Sequence, residues 1–301
     1  MWQPLLTVRD LIRYGVSAFN QHAIAYGHGT DNAYDEAVQL VLHALYLHSD
    51  ILDHCYDARL LPHEREAVVT LLHARIQTRK PAAYLTHTAY AQGFKFYVDE
   101  RVIVPRSFIG ELFDADALAP WLGNREVSRI ADICTGSAAI AIQAAHAYPD
   151  AAIDAVDLSR DALAVAARNV GDYQLDSVIT LHQGSLFAPL AGQKYDLIVS
   201  NPPYVNAESM QDLPAEYKAE PYMALSGNVH GGTDGMDLVR DIVAQARAHL
   251  NPNGVLVIEI GNERAYFEAA FAEWQYTWLP VTAGEYCVAL FSCEDLPQNP
   301  S

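Results

Sequence analysis

The apolar positions change period along the chain. From Val8, the residues Leu11, Ile12 and Phe19 fall at helical spacing, with Thr7 and Asp10 set as a capping box ahead of them. Gly27-His28-Gly29 interrupts that pattern. A second helix is predicted from Asn32, with Val38, Val41, Leu42 and Leu45 along one face. A third is predicted from Pro62, a residue favoured in a first turn, with Val68, Leu71, Leu72 and Ile76 inward and Pro81 closing the stretch. Between residues 88 and 104 the period shortens, and 88–92 and 94–98 around Gly93 read as a hairpin.

From residue 128 strands and helices alternate. Strands are predicted at 129–133, 152–157, 178–181, 195–200 and 254–260, and helices at 138–148, 159–170, 234–250 and 263–273. Two closing strands fall near 275–280 and 285–292. This alternation predicts an α/β fold: an open, mostly parallel sheet with helices on both faces, binding ligands beyond the carboxyl ends of its strands. The chain divides into a helical N-terminal domain (1–86), a hairpin linker (87–104) and a sheet domain (105–301). The separate apolar stripes of the first unit suit a module that docks a substrate.

Composition narrows the function classes. Half of the 301 residues are apolar and 19% are charged, which excludes a largely disordered chain. The net charge of −18 is unevenly spread: residues 1–104 carry nine basic and eleven acidic side chains, residues 105–301 ten and twenty-six. Nucleic-acid binding draws on Lys and Arg, so the second part is expected to repel nucleic acid and to attract a basic partner. The four cysteines form no C-x-x-C pair, so neither a zinc site nor a disulfide framework is expected. Residues 1–10 lack the basic start and apolar run of a signal peptide, and no window has the roughly 20 apolar residues of a membrane helix. A soluble, cytoplasmic protein is expected.

Three segments carry chemistry. Asp132-Ile133-Cys134-Thr135-Gly136-Ser137-Ala138 follows a strand and opens a helix. Gly136 lets backbone approach a ligand, and the helix start offers N–H groups to an anion. With Cys134 and Ala139 in the outer glycine positions of G-x-G-x-x-G, a single carboxylate suits this loop better than a pyrophosphate. A plain tight turn would read alike. Asp157 ends the next strand, where an acidic residue accepts bonds from both ribose hydroxyls. Together the two point to an adenosine-type cofactor. Asn201-Pro202-Pro203-Tyr204 follows the fourth strand. The prolines fix φ and turn carbonyls outward, so the Asn201 oxygen and a proline carbonyl could each accept from one NH2 group while Tyr204 stacks on it. Such a loop holds a planar amide or amino nitrogen toward an electrophile.

These residues resemble the class I S-adenosylmethionine-dependent methyltransferases that modify amide or amino nitrogens. The segments 26–32 (Tyr-Gly-His-Gly-Thr-Asp-Asn), 97–102, 104–112 and 212–217 are similar to one branch of them, the ribosomal protein L-three glutamine N5-methyltransferases (the PrmB branch), over nearly the whole chain. The resemblance implies a Rossmann-like seven-stranded sheet with an antiparallel last strand, a helical substrate domain and a hairpin linker. It implies S-adenosyl-L-methionine as cofactor, with Asp132, Cys134, Gly136, Ala138, Asp157, Ser185, Leu186 and Asn201 around it. It implies catalysis by Asn201, Pro202, Pro203 and Tyr204 on a glutamine of the basic ribosomal protein L-three. The chain departs from the pattern at Ala138, where the family has glycine, at Ser185, where an acidic residue is expected, and at Phe108, where proline is expected. The same loop could instead serve a nucleic-acid amino group, or the fold could persist in a non-catalytic assembly factor.

Overall fold

The computed structural model describes residues 5–114, 117–123 and 126–297. Residues 1–4, at the head of the segment tested for a signal peptide, and residues 298–301, at the foot of the sheet domain, lie outside them. The helix Val8–Gln21 starts at its capping box: Thr7 Oγ1 accepts from the Asp10 N–H at 3.2 Å, and Asp10 Oδ2 accepts from the Thr7 N–H at 3.0 Å. The helix Ala33–Ala44 opens on Asn32, whose Oδ1 accepts the N–H groups of Tyr34 and Asp35, each at 3.0 Å. With the helix Pro62–Thr78 they enclose one apolar cluster that includes Leu11, Phe19, Leu40, Val41, Val68 and Leu72.

The inner face of the second helix is rotated from the one its apolar residues alone predict: it buries Glu36, Ala37, Leu40, Val41 and Leu42 and leaves Val38 and Leu45 half-buried against the core. The third keeps its predicted face, with Val68 and Leu72 buried and Leu71 and Ile76 packed on the same core, and adds Arg75 to it. There Arg75 Nε donates to Glu36 Oε1 at 2.8 Å, with both side chains sealed from solvent. A reading by apolar residues alone leaves Glu36 off the second helix's inner face. Pro81 does not end the helical region, because Ala82–Thr86 forms a further short helix.

Strands β1 (Ala89–Ala91) and β2 (Phe94–Phe96) form the hairpin. The main sheet holds β3 (Arg129–Ile133), β4 (Ala152–Asp157), β5 (Ile179–Gln183), β6 (Tyr195–Ser200), β7 (Leu250–Glu259), β8 (Thr277–Val281) and β9 (Gly284–Ser292), in the order β5-β4-β3-β6-β7-β9-β8. The pairs from β5 across to β7 are parallel, and β9 runs antiparallel to both its neighbours. β7 begins at Leu250, earlier than the apolar run, because Leu250 pairs with Tyr195 before the register shifts.

Every residue of β6 is buried, and alternate side chains serve opposite cores. Leu197 and Val199 join the core beneath the helices Ala139–Ala147 and Arg160–Asp172, while Ile198 joins the one beneath Asp237–His249. Phe96, Val98, Val102 and Val104 also enter the first core, so the 87–104 segment packs as part of the sheet layer. The four cysteines are free. Among the described residues no group of His, Cys, Asp or Glu suits a metal ion, and no helix is long and apolar enough to cross a membrane.

Candidate active site

The chain leaves β3 toward β4 on one side and later places β6 on the other, which opens a crevice at the carboxyl ends of β3 and β6. Three loops meet there. In the loop after β3, Cys134, Gly136 and Ala138 have φ of 62°, 56° and 63°. A Cβ on Gly136 would meet no atom within 4 Å, so that position faces open space. Ala138 does carry a Cβ in this left-handed conformation, a strain of about 1–2 kcal/mol, and its methyl packs wholly inside the first core.

Asp157 ties the first two loops together. Its Oδ2 accepts the Gly136 N–H and its Oδ1 accepts the Ser159 N–H, both at 2.8 Å, leaving each oxygen a second acceptor direction. Burial raises its pKa against those backbone donors. Behind the loop, Asp132 Oδ2 accepts from Thr135 Oγ1 at 2.5 Å and from the Ala141 N–H at 3.2 Å. Its complete burial pushes its pKa up to about 7. Burial likewise raises the Cys134 thiol, which makes it a poor nucleophile at neutral pH.

The cavity at this crevice, about 330 Å³, has a size in the range of small-molecule sites. Cys134, Gly136, Asp157, Ser185, Leu186, Asn201 and Pro203 line it. Asn201 also borders two smaller spaces: one with Pro202, Tyr204, Arg106 and Leu225, the other with Arg106, Ser107 and the first turn of the helix Ala139–Ala147. Of the residues singled out in the sequence, Asp132 and Ala138 do not reach a cavity wall; they brace the loop from behind.

The Asn201–Tyr204 loop is held by close backbone packing. A Cβ at Gly235 would come within 2.0 Å of the Tyr204 carbonyl oxygen, and one at Gly261 within 2.6 Å of the Tyr204 hydroxyl. Only glycine fits at these two positions, and Gly261, with φ 51°, lets the tyrosine ring lie on its backbone. Burial raises the Tyr204 pKa, with Glu259 adding to it. Glu259 ends β7 and holds the 105–108 segment: its Oε2 accepts from Ser107 Oγ at 2.7 Å and from the Phe108 N–H at 2.9 Å. Burial pushes Glu259 up to about 7. The sequence assigns no site role to Glu259, Gly235, Gly261, Pro221 or Met223, nor to Arg101, which enters only within the 97–102 segment. Folding alone brings them to the site.

A family model described as "Methyltransferase small domain" matches residues 113–217. The ribosomal protein uL3 glutamine methyltransferase of Burkholderia pseudomallei is 54% identical over 98% of this chain and 97% of its own. The protein of the same name from Xanthomonas campestris is 44% identical over 97% and 93%. Among solved structures, the hMettl16 catalytic domain in complex with the MAT2A 3'UTR hairpin 1 superposes with a TM-score of 0.50 at 16% identity, covering 83% of this chain and 88% of that one. At that identity the likeness extends to the fold alone.

Proposed function

This chain belongs to the ribosomal protein uL3 glutamine methyltransferases, and from that membership we infer that it transfers a methyl group from S-adenosylmethionine to the side-chain amide nitrogen (N5) of a glutamine in uL3. The observation that carries the reading is identity of about half over nearly the full length, joined to an Asn201–Tyr204 loop at the sheet's switch point.

The cavity fits the cofactor. Gly136 presents open space where a side chain would intrude, and Asp157 keeps free acceptor directions for a ribose diol. Leu158, Ser185 and Leu186 would flank the adenine, while Cys134, Gly136 and the following helix turn would take the amino-acid end. Asp132 and Ala138 would act through the loop's shape. When bound, the cofactor supplies an electrophilic methyl group.

The protein's task lies with the nucleophile. An amide nitrogen is weak because its lone pair is delocalised into the carbonyl. The Asn201 side-chain oxygen and the Pro202 carbonyl would accept from the NH2 group, fix its direction and favour positive charge developing on nitrogen. Pro203 stiffens the loop, and Tyr204 gives the small pocket beside Asn201 a flat wall. Residues 1–86 would dock the substrate protein. With the acid surplus of residues 105–301, we take the partner to be the basic protein itself, not nucleic acid, met in the cytoplasm.

Incubation of purified protein with S-adenosylmethionine and unmethylated uL3 should add one methyl group to uL3 by intact mass. Asn201→Ala should slow single-turnover transfer by about 100- to 1000-fold and leave cofactor affinity nearly unchanged. A wild-type rate in that variant refutes the amide-holding role. Loss of cofactor binding with the fold intact would move Asn201 to the cofactor side.

A further inference from the structure

The short helix Ala215–Lys218 and Glu220 after it sit between the N-terminal bundle and the active-site crevice. Glu220 has no solvent exposure at its side chain. Its two oxygens accept from both terminal nitrogens of Arg106, each at 2.7 Å, and Oε1 also accepts the Val104 N–H at 2.8 Å. On the bundle side, His28 Nε2 lies 3.6 Å from Glu220 Oε2, and the His28 ring packs 4.2 Å from that of Tyr217. One helical turn earlier, Glu216 is ion-paired with Arg79 Nε at 2.8 Å and accepts the Ala25 N–H at 3.2 Å. A Cβ on Gly27 would stand 2.1 Å from the Tyr217 hydroxyl, so glycine there permits the contact.

Immediately after Glu220 the chain enters the site itself. Pro221, Met223 and Ala224 wall the crevice cavity, and the Leu225 carbonyl accepts the Val205 N–H at 2.9 Å, next to Tyr204. Arg106 borders both small spaces that Asn201 borders. We propose that Glu220 is a positioning residue: it holds Arg106 and residues 221–225 against Asn201, and the N-terminal bundle holds the 216–220 segment in turn, through Arg79 and the Ala25 N–H on Glu216 and the close approach of Gly27 to Tyr217. The bundle is then part of the catalytic geometry as well as a docking surface.

A buried ionic contact adds little stability over an apolar one of the same volume, whereas a two-pronged guanidinium–carboxylate pair fixes direction. Direction is what an amide held between loops needs, since a displacement of about 1 Å costs near 100-fold in rate. The proposal rests on the methyl-transfer function.

The test compares the full-length protein with Glu220→Gln, Glu220→Asp and Arg106→Lys. Three quantities are measured: single-turnover methyl transfer with both substrates saturating, KM for uL3, and amide hydrogen exchange in residues 24–30 and 221–225. The expected result is a rate about 10- to 100-fold lower in Glu220→Gln and in Arg106→Lys, with little further loss on combining them. Glu220→Asp should recover part of the rate, and exchange should quicken in both segments together. A wild-type saturating rate in a folded Glu220→Gln, or an effect confined to KM, overturns the proposal. Faster exchange in 221–225 alone overturns the link to the bundle. Should Glu220→Gln not fold, Arg106→Lys decides by the same criteria. Absence of transfer by the unaltered protein would count against the methyl-transfer function instead, and the exchange comparison would still decide whether Glu220 joins the two segments.

Discussion

Asp157→Ala probes the cofactor site most directly. In the structure both carboxylate oxygens already accept a backbone N–H at 2.8 Å, from Gly136 and from Ser159, and the remaining acceptor directions are those available to a ribose. Hydrogen bonds to a charged acceptor contribute about 1.5–3 kcal/mol. At about 1.4 kcal/mol per decade, S-adenosylmethionine affinity should fall about 10- to 150-fold. Removal of the carboxylate also frees the Gly136 N–H, so the loop loses an anchor and the upper part of that range is expected. Stability should change less, because burial already works against the ionised carboxylate and its loss relieves that penalty. Asp157→Asn keeps one acceptor oxygen without the charge and should fall between. The raised pKa carries a further consequence. The wild-type carboxylate takes up its proton above the usual 3.8, so cofactor affinity should weaken on acidification from a higher pH than an exposed aspartate would show. Asp157→Ala should lack that dependence. Isothermal calorimetry with S-adenosylmethionine across pH, with a melting curve for each variant, measures both. Affinity within twofold of wild type in a folded Asp157→Ala would refute the ribose assignment.

Two more outcomes are expected from the geometry. Glu259 is pushed up to about 7 from 4.5, so between those values the unfolded chain releases a proton that the folded chain keeps. Stability should therefore decline as pH rises through that window, by about 3 kcal/mol from this group, beside a further decline from the buried Asp132, and Glu259→Gln should remove its own share of the decline in urea titrations; an unchanged slope would count against it. Gly261→Ala places a methyl group 2.6 Å from the Tyr204 hydroxyl at a φ of 51°, so it should displace the tyrosine and lower turnover at least tenfold (on the order of a 1 Å misplacement) while cofactor affinity holds; full turnover in that variant would show that Tyr204 can shift freely.

The local signals in the sequence were strong where one residue type has one physical use. Thr7 with Asp10, and Asn32, marked helix starts because side-chain oxygens there meet N–H groups that have no other acceptor. The apolar run Val255-Leu256-Val257-Ile258 marked β7 as a buried strand. Asp157 and Asn201 stood at strand ends, and a parallel sheet brings strand ends together whatever lies between them. Other features depended on partners distant in sequence. Arg75 and Glu36 carried no sign of burial in the sequence; folding set them 2.8 Å apart on the inner sides of two helices. Glu220, 114 positions from Arg106, and Glu259, 152 from Ser107, carried no signal, because a carboxylate becomes structural only once burial removes water and a specific donor replaces it. The sequence by itself determined the helix starts, the strand pattern and the chemistry of the strand-end loops. Tertiary structure alone decided which charges are buried, which glycines admit Tyr204 and Tyr217, and how the first bundle meets the 216–220 segment, since each of these is a distance between residues that only packing brings into contact.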